Sequence, residues 1–133
     1  MRKTVLFTLV ILALVLTACG GGGSSEGPDA ANGEKLYNQA TLGSKSAEGC
    51  ASCHNMDASE GDETDAPFTA GTATRAESRV PGLSAEEYIM EYIVNPDAYL
   101  VEGFEAGSMY QSWGDDLSEE QIADILAYLV TVK

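Results

Sequence analysis

Two thiols and an imidazole packed into Cys50-Ala51-Ser52-Cys53-His54 constrain this chain more than any other feature. Two cysteines spaced this way on a short helical turn can reach the two vinyl groups along one porphyrin edge. The next residue then projects its ring toward the iron, which is the attachment pattern of a covalently bound c-type haem. A thioredoxin-like dithiol uses the same cysteine spacing but brings a βαβ context, and no strand is legible here. A structural zinc site needs four protein ligands. The chain offers no second cysteine pair and no histidine besides His54.

The same lone histidine limits the sixth coordination position to methionine, lysine, an outside ligand or nothing. Of the four methionines, Met1 belongs to the leader and Met56 is too close to His54 to reach the other face of the ring. Met90 falls in a helical pattern and is expected to pack. Met109 follows Gly103, Phe104 and Gly107 in a loop before the last helix, and is expected to be the second iron ligand. A His/Met pair fills both axial sites and raises the reduction potential. That favours electron transfer over oxygen chemistry.

With 133 residues the chain has room for one small domain. Arg2 and Lys3 precede an apolar run, Val5–Ala18, with the layout of a secretory signal. The run is shorter than the roughly 20 residues needed to cross a bilayer. Its end, Leu16-Thr17-Ala18-Cys19, resembles the bacterial lipoprotein processing site, where cleavage leaves a lipidated cysteine. Residues 1–18 are therefore expected to be a removed signal peptide, and 19–28 a lipidated Cys19 with a flexible tether. The haem-bearing domain is expected over 29–133. Gly20–Pro28 is Gly/Ser-rich, with a coil reach of about 15–18 Å. With Cys19 lipidated, Cys50 and Cys53 are the cysteines left.

The body reads as all-α. Asp29 can cap a first helix running to about Ala40. Ser84 with Glu87, and Ser118 with Gln121, form capping boxes that open two further helices. Pro96 stops the first of these near Asn95. Residues 55–82 read mostly as loop, with one helical turn near Ala73–Ser78. Three main helices and long loops bury little apolar surface, and a small domain of this kind needs a cofactor to complete its core.

Twenty-one Asp and Glu against seven Lys and Arg give a net charge of −14, and removing the leader makes it more negative. This excludes nucleic acid, whose phosphates need clustered cations. It suits docking to a basic patch on a redox partner. No catalytic triad, phosphate loop or small-molecule substrate site is legible. The chain is expected to carry electrons and not to be an enzyme in itself.

These residues resemble the class I cytochromes c over nearly the whole body. Gly33 and Tyr37 match the glycine and aromatic of that family's N-terminal helix, and Ile125 and Tyr128 match its C-terminal helix. The resemblance implies that these helices cross closely at the glycine, beside one haem c. Pro67 in Ala66-Pro67-Phe68 resembles the family's proline loop, whose carbonyl accepts the ligand histidine's N–H; the family usually has glycine where Ala66 stands. Arg79-Val80-Pro81-Gly82-Leu83-Ser84, Asn95-Pro96-Asp97, Gly103-Phe104, Met109 and Trp113 are similar to the cytochrome c domains of caa-type oxidases and alternative complex III. Those domains read Met-Pro where this chain has Met109-Tyr110.

By the same resemblance Arg79, or Arg75 in its place, pairs with a haem propionate, and Trp113 and Tyr99 are further candidates to bond one. The implied role is a lipid-anchored subunit of a quinol-oxidising respiratory complex at the outer face of a bacterial membrane. A tethered donor to a terminal oxidase, and an open-site haem sensor or peroxidase, are the alternatives.

Overall fold

Asp29 opens the fold by accepting the N–H groups of Ala31 (2.9 Å) and Asn32 (3.2 Å). Such a cap is worth about 1 kcal/mol. The computed structural model describes residues 27–63 and 65–133. The leader, Cys19 and all of the expected tether except Gly27 and Pro28 lie outside them. Among the described residues, no helix is long and apolar enough to cross a membrane.

Helix α1, Ala30–Tyr37, ends three residues earlier than its composition suggests. The Asn38 amide nitrogen donates to the Glu34 carbonyl at 2.8 Å, and the Ala40 carbonyl accepts the Gly49 N–H at 3.0 Å. The chain leaves the helix to form a small hairpin, contrary to the expectation of no strand. Strands β1, Thr41–Leu42, and β2, Ala47–Glu48, pair antiparallel with Thr41 opposite Glu48. Two-residue strands are too short to show an alternating pattern. The turn between them depends on Gly43 at φ +77°.

A 3₁₀ turn, Cys50–Ser52, follows directly. Helix α2, Thr72–Arg79, occupies the stretch read as a loop with one helical turn, and is about two turns long. It buries Ala73 and Ala76, small residues that let its backbone lie close to the core. Its Ala73 N–H donates to the Val132 carbonyl at 3.0 Å, so the C-terminal segment satisfies its first turn. Helix α3, Ala85–Val94, has the expected capping box and stops before a 3₁₀ turn, Pro96–Ala98. A short helix α4, Trp113–Asp116, precedes α5, Glu119–Leu129, which carries the second capping box. The three expected helices are α1, α3 and α5; α2 and α4 are additions to them.

The crossing of α1 over α5 organises the rest. Gly33 lies against the Asp124 carbonyl so closely that a Cβ would overlap it. Tyr37 and Tyr128 pack with ring centroids 5.4 Å apart, and Ile125 is 2% exposed. The Asp124 carboxylate, 4% exposed, accepts the Asp29 N–H at 2.6 Å and the Asn32 amide at 2.8 Å. It thereby fixes where α1 begins. Replacing it with alanine strands both donors, at a cost of about 1–3 kcal/mol. Asp124→Ala should therefore lower the urea midpoint of the haem-loaded protein, with Asp124→Asn recovering part of the loss.

Candidate cofactor site

The turn bearing the cysteines is made by local hydrogen bonds. Ser52 N–H donates to Gly49 O (3.0 Å), Cys53 N–H to Cys50 O (3.2 Å) and His54 N–H to Cys50 O (2.9 Å). Gly49 admits no side chain, since a Cβ would strike the Gln39 carbonyl. Cys50 is half-buried and Cys53 exposed. Burial pushes the Cys50 thiol up to about 11. Burial, then Glu48 and Asp65, push that of Cys53 upward as well. Dithiol redox centres depend on a depressed thiol pKa, so this pair is unsuited to that chemistry. Among the described residues, no three His, Cys, Asp or Glu side chains converge as a metal-binding group. The zinc alternative therefore has no geometry behind it.

His54 is held by the proline loop. Its Nδ1 lies 2.8 Å from the Pro67 carbonyl oxygen. A carbonyl only accepts, so Nδ1 carries the proton and the Nε2 lone pair is left for a metal. Burial lowers the imidazole pKa, opposed by the Pro67 bond. The ring is thus neutral at pH 7, as a ligand must be.

The loop is in turn fixed to the segment it serves. Thr69 N–H donates to Asn55 O and Ala70 N–H to Met56 O, both at 2.9 Å. The Thr69 hydroxyl reaches the His54 carbonyl at 3.2 Å and pairs with the buried Tyr37 hydroxyl at 2.6 Å. Arg75 donates to the carbonyls of Phe68 and Ala70. The Tyr37–Thr69 bond spans 32 residues and the Thr69–His54 bond 15, whereas Arg75 reaches back five and seven; no local motif in the sequence announces any of them.

A cleft opens beside this arrangement. Its inner hollow is walled by Tyr37, Ile89, Ile93, Ile125 and Leu129. Its outer hollow is lined by Cys53, the exposed Leu100 and Phe104. Cys50, His54, Pro67, Met109 and Trp113 line both. Met56 and Met90 line neither; Met90 packs partly buried against the core. Tyr99 lines neither hollow and sits against Tyr88, ring centroids 6.1 Å apart, so it is not brought to the cleft.

Charge is distributed unequally along the cleft. Arg75 and Arg79 line the inner hollow, which has no carboxylate among its lining residues. Glu48, Asp65, Asp97 and Glu105 line the outer one, which has no Lys or Arg among the described residues. Among the described residues the one ion pair is Lys133–Glu77, at 3.9 Å. Neither arginine therefore has an acidic side-chain partner.

The Met109 loop closes on itself. Asp97 Oδ1 accepts the Gly107 N–H at 3.0 Å and the Gln111 amide at 3.2 Å. That amide also donates to the Met109 carbonyl at 2.8 Å. Gly103 and Gly107, at φ +96° and +79°, supply turns that other residues adopt only with strain.

The residues present fit a covalently held haem. Two thiols, a neutral imidazole, a thioether and two guanidinium groups, that of Arg79 on an exposed residue, line one apolar slot. The slot and its ligands define a haem protein of the helical, thiol-attached class. The cytochrome c family model matches residues 30–133, and the chain belongs to that family. Comparison with curated proteins and with solved structures gave no match. The fold is the small, mostly helical one of class I, the cofactor is one covalent haem c, and the protein carries electrons.

Proposed function

We propose that the chain is a single-electron carrier tethered by a lipid on Cys19 to the outer face of a bacterial membrane, as a subunit of a quinol-oxidising respiratory complex. Cys50 and Cys53 form the thioethers, and His54 and Met109 are the iron ligands. The observation that carries this reading is the convergence of His54 and Met109 on one cleft whose outer hollow is lined, among the described residues, by four carboxylates and no Lys or Arg. The haem supplies a reversible ferric–ferrous couple. The protein's residues hold it: Pro67 sets the His54 tautomer, Arg79 faces a propionate, and Asp97 shapes the loop that presents Met109.

Leu100, 51% exposed, stands at the mouth beside Phe104. Leu100 and Phe104 sharing a lining with Glu48, Asp65, Asp97 and Glu105 suit a partner bearing the opposite charge. Electron exchange with a lysine-rich redox protein should be fast in dilute buffer. It should slow by at least tenfold as added salt shortens the reach of these charges. A rate indifferent to salt would argue against an electrostatic partner. Gentle isolation from the native membrane tests assignment to a complex: the haem chain should emerge with quinol-oxidising subunits and lose its membrane association when Cys19 is replaced.

A further inference from the structure

Asp116 stands at the end of α4, away from the cleft lining, and its carboxylate joins two segments that the sequence separates widely. Oδ1 accepts the Ser44 hydroxyl at 2.5 Å and the Lys45 N–H at 3.1 Å. Oδ2 accepts the Tyr110 hydroxyl at 3.5 Å. Ser44 and Lys45 form the hairpin turn whose second strand runs into Gly49 and Cys50. Tyr110 follows Met109 directly and packs edge-on against Trp113, ring centroids 4.7 Å apart. Gly43 is bare because its φ is +77° and because a Cβ there would meet the Asp116 carboxylate.

The Asp97 bonds fasten the Met109 loop to itself, but they do not join it to the hairpin that leads into the cysteines. Asp116 makes that connection, and it is itself 8% exposed. The Ser44 hydroxyl holds its carboxyl below the usual range, so both hairpin bonds are charge-assisted at neutral pH. Tyr110, directly after Met109, offers Asp116 a hydroxyl. We propose that Asp116 is a positioning residue that keeps the Met109 thioether at the haem by clamping Tyr110 to the Ser44–Lys45 turn. The inference rests on Met109 being the sixth ligand.

The test is imidazole binding to the ferric, haem-loaded protein, since imidazole enters only as the thioether leaves. Met109→Ala marks the limit of an open position. Asp116→Ala should tighten imidazole binding at least tenfold toward that limit. It should also diminish the weak long-wavelength absorption of a thioether–ferric bond. Tyr110→Phe and Ser44→Ala, which each remove one hydroxyl and keep the packing, should tighten it severalfold. They decide the matter should Asp116→Ala fail to take up haem. Asp115→Ala, on the exposed neighbour, should bind as the parent does.

Equal imidazole binding by the parent and Met109→Ala would overturn the ligand assignment. Tighter binding by Met109→Ala alone, with the clamp variants matching the parent or losing only thermal stability, would overturn the clamp and leave the ligand intact.

Discussion

Gly33→Val should unfold the haem domain or cost it roughly 3 kcal/mol or more, at or above the upper end of ordinary overpacking. The reason is backbone against backbone. A Cβ on Gly33 would overlap the carbonyl of Asp124, and a carbonyl inside α5 cannot swing aside as a side chain tip can. The helices would have to separate, breaking the Asp29–Asp124 and Asn32–Asp124 bonds and parting Tyr37 from Tyr128. Total stabilities of small domains are about 5–15 kcal/mol, so the loss is a large share of the whole. Urea titration followed by haem absorbance measures it. A Gly33→Val protein with the parent's midpoint would mean that α1 and α5 do not cross as described.

Met109→Ala should change the redox behaviour as much as Gly33→Val changes stability. Thioether ligation raises the potential and closes the sixth position. Its removal should lower the reduction potential by about 0.2 V, a modest part of the range that axial ligands control. It should also convert a reduced protein that resists carbon monoxide into one that binds it within mixing time. Met90→Ala, which alters a residue outside the cleft, should leave both properties unchanged. If the parent itself bound carbon monoxide rapidly, the open-site sensor or peroxidase alternative would replace electron transfer.

How much of this was legible in the sequence depends on how local each signal is. The Cys50–His54 turn and the two capping boxes are fixed by residues within five positions of one another, and the structure places them as the spacing implies. The stop at Pro96 is equally local. Helix α2 is longer than the one turn its sequence suggests, because Thr72–Arg79 has little apolar content. Its length depends on Gly71 at φ +76° and on the Val132 carbonyl, which accepts the Ala73 N–H. The hairpin β1–β2 has no local signal, because its turn is secured by Asp116, more than seventy residues away.

The site divides in the same way. Pro67 lies 13 residues from His54, and only its resemblance to a family loop marks it in the sequence. The bonds that hold this loop, from Tyr37 through Thr69 and from Arg75, carry no sequence mark. Arg75 and Arg79 both line the inner hollow. Arg75 bonds the loop carbonyls, whereas Arg79 makes no described hydrogen bond to them, which supports Arg79 as the residue facing a propionate. Of the aromatic candidates, Trp113 lines the cleft and Tyr99 does not.

Covalent attachment through Cys50 and Cys53 is the most direct point of attack. The haem-loaded chain should be unfolded in strong denaturant, extracted with acidified organic solvent, and weighed by mass spectrometry. Red colour remaining on a polypeptide heavier by one haem is the expected result, with the added mass lost in a Cys50→Ala, Cys53→Ala double variant. Colour passing into the solvent, with an unmodified polypeptide left behind, would contradict the account.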